Sequence, residues 1–120
     1  MDRVEKDQGI LARRKFNDKY EEFANLLLTF HEDTYYPERS DDDTIRRFVK
    51  EMDSQSIKDT IKEGKEVLEL KPFPHEWVYT VTGYLALERI KANSKEEKFK
   101  KWVSWMLKAL EEEGKKQGKL

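Results

Sequence analysis

"FNDKYEEFANLLLTF", residues 16–30, decides the fold. Phe16, Tyr20, Phe23, Leu27 and Phe30 follow one another at spacings of four, three, four and three. That is the period of an α-helix, about 3.6 residues per turn, and it draws one aromatic-rich stripe along a single face. A strand would divide the same five residues between opposite faces. A stripe this apolar is a core surface, so other helices must cover it.

The rest of the chain supplies them. Ser40 followed by Asp43 forms a capping box with Asp in place of the usual Glu, and Asp41, Asp42 and Asp43 fill a first turn that the helix macrodipole favours for acids. Ile45, Phe48, Val49 and Met52 then make a short apolar face. Ser54 or Ser56 can cap a third helix carrying Ile57, Ile61, Gly64 and Leu68 on one side with Val67 beside it. Gly64 in that row marks a place where another helix can approach closely, since its helix cost is otherwise unrewarded.

Lys71-Pro72-Phe73-Pro74 has to break the third helix, and Pro74 suits the first turn of a fourth. There Trp77, Val78, Val81, Tyr84 and Leu85 share a face, and Tyr79, Ala86, Leu87 and Ile90 extend the apolar surface around the helix. By propensity "WVYTVTGY" could instead be a strand. Ser94-Lys95-Glu96-Glu97 opens a fifth helix with Phe99, Trp102, Val103, Met106, Leu107 and Leu110 inward. Trp105 falls about 60° outside Trp102 at about 100° per residue, on the flank. Gly114 is placed to end this helix, leaving residues 115–120, like residues 1–10, as flexible tails. The expectation is all-α: one domain over residues 1–120, a compact antiparallel bundle of about five helices, with stacked helical pairs as a variant.

Composition narrows the function classes. The chain is 37% hydrophobic and 12% aromatic, so rings supply much of the core. With 24 basic and 25 acidic residues the formal net charge is −1, which argues against a general nucleic-acid binder. Without cysteine there is no disulfide framework, thiolate metal site or cysteine nucleophile. Residues 1–15 contain no continuous apolar segment and no run nears the roughly 20 residues of a membrane span, so a cytoplasmic protein with no export signal and no membrane partner is expected.

Conventional chemistry is scarce. His75-Glu76 begins like a zinc-protease motif, but the second histidine should stand at position 79, which is Tyr79. His75 therefore reads as a capping or surface residue, and His31 is the one other histidine. The stretch "HEDTYYPERSDDDT", residues 31–44, holds six carboxylates but no glycine, unlike an EF-hand loop. Acids crowded in a polar loop stay solvated and ionised, which suits binding better than acid–base catalysis. Glu32, Asp33, Glu38, Asp41, Asp42 and Asp43 stand against Arg39 alone, a net of −5 in that stretch, whereas residues 91–120 carry nine lysines against five glutamates. Such a polarised chain can steer a basic partner to its acidic side, with Tyr35 and Tyr36 as flat anchors. The alternatives are an ordinary solvated face, a metal-assisted hydrolase using these acids with His31, and a helical scaffold or adaptor using the lysine-rich last helix.

An aromatic-rich first helix, "LLLTFHEDTYY", "SDDDTIRRFVKEM", a helix ending "GKEVLEL" and the tryptophan-bearing "FKKWVSWMLKAL" together resemble the immunity proteins of bacterial contact-dependent growth inhibition systems, over residues 16–112. In that family a Phe-x-x-Asp and a following aromatic close the first helix, matched here by Phe30, Asp33 and Tyr35 or Tyr36. The chain departs from the pattern in having tyrosines where tryptophan is frequent, and in its Pro-Phe-Pro segment. The resemblance implies a small helical cytoplasmic protein that neutralises the C-terminal toxin domain of a cognate effector, commonly a nuclease, without catalysis, cofactor or metal. On that basis the expected contact residues are Glu32, Asp33, Tyr35, Tyr36, Glu38, Asp41, Asp42, Asp43 and, on the last helix, Trp105.

Overall fold

The structure is a computed structural model that describes residues 15–33, 36, 38–82 and 94–120. After a helical turn at residues 15–19, five helices follow: α1 (Glu21–Asp33), α2 (Asp41–Glu51), α3 (Ser54–Glu69), α4 (His75–Thr82) and α5 (Lys95–Lys116). Among the described residues there is no strand, and "WVYT" belongs to α4. The all-α bundle of about five helices is what the structure shows.

The opening stripe is the spine of the core. Tyr20, Phe23, Leu27 and Phe30 are at most 2% exposed, and Phe16 packs against them half-buried. Regular helix pauses at Tyr20, although Tyr20 N still donates to Phe16 O (2.9 Å) and Ala24 N to Tyr20 O (2.8 Å). At this pause Glu63 of α3 accepts the Glu22 N–H (3.1 Å), a cap supplied by another helix. Two tryptophans organise the rings. Trp77 of α4 stacks on Phe16 (5.2 Å between centroids), meets Phe23 at 6.2 Å and donates its indole N–H to Asn17 (2.8 Å). Trp102 of α5 meets Phe30 edge-on at 5.1 Å. Such pairs contribute about 0.5–1.5 kcal/mol each beyond burial, so both ends of the spine are pinned.

Local signals set the helix limits. The Ser40 hydroxyl accepts from Asp43 N (3.2 Å) and the Asp43 carboxylate accepts from Ser40 N (3.0 Å), the full reciprocal box. Ser94 likewise accepts from Glu97 N. The cap of α3 is Asp53, whose carboxylate accepts from Ser56 N (2.7 Å), and not Ser54 or Ser56. Asp ranks with Ser as a cap, and in the run Asp53-Ser54-Gln55-Ser56 it stands one step earlier. The Pro-Phe-Pro segment stops α3 as expected, and the Pro74 carbonyl accepts the first bond of α4 from Val78 N (3.2 Å). Trp77, Val78 and Val81 are buried and Tyr79 is exposed, while Tyr84, Leu85, Ala86, Leu87 and Ile90 lie outside the described residues.

Gly64 is a close-approach point. A Cβ there would sit 2.4 Å from Leu107 Cδ2 and 3.1 Å from Phe23 Cδ1, so α1, α3 and α5 converge on its bare backbone. The six inward residues of α5 are all buried. One expectation at its end is corrected: Gly114 does not terminate α5, which runs to Lys116 with Gly114 buried inside it. Residues 115–118 and 120 are exposed, while the Lys119 side chain reaches back to α2. Residues 1–10 lie outside the described residues.

Candidate partner-binding surface

The acidic stretch joins the end of α1 to the start of α2, and its central residue faces inward. Asp33 is 7% exposed. Its Oδ2 accepts the Thr44 hydroxyl at 2.5 Å, and its Oδ1 accepts from Arg39 (3.1 Å) and from the Arg47 guanidinium. Burial pushes the Asp33 carboxyl up, but bonds from Arg47, Thr44 and Arg39 outweigh it and hold the group below its ordinary value. Both oxygens accept bonds from within the fold: Asp33, expected as a contact residue, is 7% exposed and anchors the loop.

The node orders what surrounds it. Tyr36 N donates to the Asp33 carbonyl and Arg39 N to the Tyr36 carbonyl, each at 2.9 Å. The Arg39 guanidinium lies 4.0 Å from the Tyr36 ring centroid. One arginine thus grips the buried carboxylate and supports the exposed ring, a cation–π contact of about 0.5–1 kcal/mol at such a site. Tyr36 is 46% exposed, whereas Tyr35 lies outside the described residues.

The remaining acids divide by role. Glu32, Glu38 and Asp42 are exposed. Asp43 is exposed too, but it is engaged with Ser40 N and with Arg46 (3.0 Å); the backbone bond at Ser40, then the Ser40 side chain, lower its pKa. Asp41 is half-buried and accepts the Trp102 indole N–H at 3.4 Å. That bond places α2 on the Trp102 flank of α5, while the Lys65–Glu111 pair (3.0 Å) places α3 on the other. Trp105, 36% exposed, stands about 60° beyond Trp102 and so on the α2 side. Glu32, Tyr36, Glu38 and Asp42 are exposed near the α1–α2 connection, Asp41 and Asp43 are engaged there, and Trp105 is exposed on α5 with no contact among the described residues that joins it to them.

Arg39 and Arg47 pair with Asp33, a role that the sequence reading did not give them. A charge count that stops at Thr44 leaves out Arg46 and Arg47, which follow within one helical turn; to residue 47 the six acids face three arginines, and the net falls from −5 to −3. A window closed at a complete turn of α2 would have found them. Among the described residues, no three His, Asp or Glu side chains converge so as to hold a metal ion. His31 instead bonds through Nδ1 to the Thr82 carbonyl (2.8 Å), tying α1 to α4. His75 is half-buried at the start of α4, beside the Phe73 carbonyl. No described helix is long and apolar enough to cross a membrane.

Comparison with protein-family models, curated proteins and solved structures finds no match to this chain. The geometry defines an all-α domain on which Glu32, Tyr36, Glu38 and Asp42 are exposed.

Proposed function

We propose that this chain is an immunity protein that binds the toxic C-terminal domain of a cognate bacterial effector in the cytoplasm and neutralises it by covering its active site. The observation that supports this most is the Asp33 node. It fixes Tyr36 and Arg39 in place while Glu32, Glu38 and Asp42 stay exposed around them. A surface ordered before encounter loses less entropy on binding. Exposed acids raise the encounter rate with a basic cleft, such as a nuclease uses for phosphates, and Tyr36 and Trp105 supply flat contact area. The mechanism is occupancy, with no catalytic step and no cofactor, and the resemblance to contact-dependent growth inhibition immunity proteins points the same way.

The test is genetic and calorimetric. Effector toxin domains, sought first in the genes that adjoin this chain's own, are expressed in cells with and without the protein, and each purified pair is titrated. The proposal expects rescue of growth and one-to-one binding in the nanomolar range. Unrescued growth together with no heat of binding would overturn it.

A further inference from the structure

The ammonium of Lys119 reaches three backbone carbonyls at the carboxyl end of α2: Val49 O at 2.6 Å, Lys50 O at 2.9 Å and Met52 O at 2.5 Å. An ammonium has three N–H donors, and here each finds a separate acceptor. The acceptors are carbonyls that a helix end leaves without intrahelical partners, at the negative pole of the dipole, where a cation is favoured. Gln117 adds a fourth contact, donating to Arg46 O at 3.1 Å.

The segment that delivers Lys119 is itself built for the purpose. Gly118 adopts φ +74°, a left-handed conformation that favours glycine. Gly118 N donates to Lys115 O (3.1 Å) and Lys119 N to Gly114 O (2.8 Å), the two bonds of a Schellman turn. Leu120 then lies over Gly114, where a Cβ would come within 2.5 Å of its Cδ1. The turn throws the Lys119 side chain across to α2.

The eleven-residue α2 is too short to be stable alone, so it depends on packing and on its two ends. The Ser40–Asp43 box holds one end and Lys119 the other. On α2 ride Asp42, exposed, and Thr44 and Arg47, which grip Asp33 and through it Arg39 and Tyr36. We infer that Lys119 is a positioning residue for the contact surface: it fixes the register of α2 from the far end and so keeps the Asp33 node, and the loop that node orders, in place. Naming that surface a contact surface rests on the proposed function; the coupling does not.

Hydrogen exchange tests the coupling without any partner. In Lys119→Met, of similar length but no charge, the α2 amides and those of Tyr36 and Arg39 should exchange about fivefold faster, the scale of losing a favourable helix-end charge. Lys119→Arg should stay near the wild type. In Lys119→Ala, methylammonium at constant ionic strength should slow the α2 amides again, which tetramethylammonium, lacking N–H donors, should not. Unchanged α2 exchange in Lys119→Met, or equal acceleration in all five helices, overturns the inference. If α2 and the loop respond but the wild-type chain does not bind the effector domain, the proposed function fails and the positioning role stands.

Discussion

Replacing Asp33 with alanine removes the acceptor shared by Thr44, Arg39 and Arg47 and so uncouples α1, the loop and α2 at once. Each hydrogen bond to a charged group contributes about 1.5–3 kcal/mol, and one-sided rupture of a fully buried pair costs about 3–5 kcal/mol. The arginine side chains are 36% and 29% exposed, so water reclaims part of what they lose, and Thr44 keeps a longer contact to Ser40 O at 3.3 Å. The net cost should be about 2–3 kcal/mol, or roughly 8–12 °C in Tm for a domain of this size. Asp33→Asn, still able to accept from Thr44, should lose about half as much.

The acid limb adds a second signature. The Asp33 pKa is lower in the fold than its ordinary 3.8, so its contribution is complete above that value and is lost as pH falls through the folded pKa. The gap between wild type and Asp33→Ala in urea unfolding should therefore hold at about pH 7 and close as pH drops below about 3.8. Asp43 and Asp53, also lowered, are present in both proteins and cancel in the difference. A gap under about 0.5 kcal/mol at neutral pH, the range of an ordinary surface change, would refute the reasoning.

Three other outcomes follow from particular contacts. Gly64→Ala gains about 1 kcal/mol of helix propensity but drives its Cβ into buried Leu107 and Phe23, so calorimetry should show net destabilisation near 1 kcal/mol, partly relieved by Leu107→Val. Gly114→Ala meets only Leu120, which is 38% exposed and can swing away, so the same substitution there should be neutral or stabilising in the same assay. Burial raises the Glu22 and Glu63 carboxyls, as do acids around them, with Asp59 acting on both; a raised carboxyl stabilises the fold as pH falls through its folded pKa toward 4.5 and loses this as pH rises. Glu63→Gln keeps an acceptor for Glu22 N without the charge, so its melting temperature should exceed wild type at neutral pH and converge with it in mild acid.

What could be read from the sequence was whatever depends on neighbours along the chain. The stripe from Phe16 to Phe30, the Ser40–Asp43 box and the inward face of α5 all follow from spacing within a few turns, and the structure holds them as expected. Gly64 was legible for the same reason, a glycine inside an apolar row. Gly114 was not, because a glycine near a helix end can either stop the helix or make room for a neighbour; Gly118 took the first role and left Gly114 the second. The fate of Asp33 depends on how α2 turns back after residue 40, which brings Thr44 and Arg47 to it from eleven and fourteen residues away. Lys119 reaches carbonyls some seventy residues earlier, beyond any periodic signal. Sequence thus placed the acids in one loop, and only tertiary contacts separated those that hold the loop from those that remain exposed.

The most direct test of that separation is the association rate constant between this protein and the toxin domain that the proposed function calls for, measured by stopped-flow at low and physiological salt. Charge reversal at the exposed acids, Glu32→Lys with Glu38→Lys and Asp42→Lys, should slow association by about tenfold or more at low salt and flatten its salt dependence, with the melting temperature lowered only by the few degrees that a lysine in the first turn of α2 costs. An association rate and salt slope equal to wild type in the triple variant would contradict the acidic surface as the site of encounter.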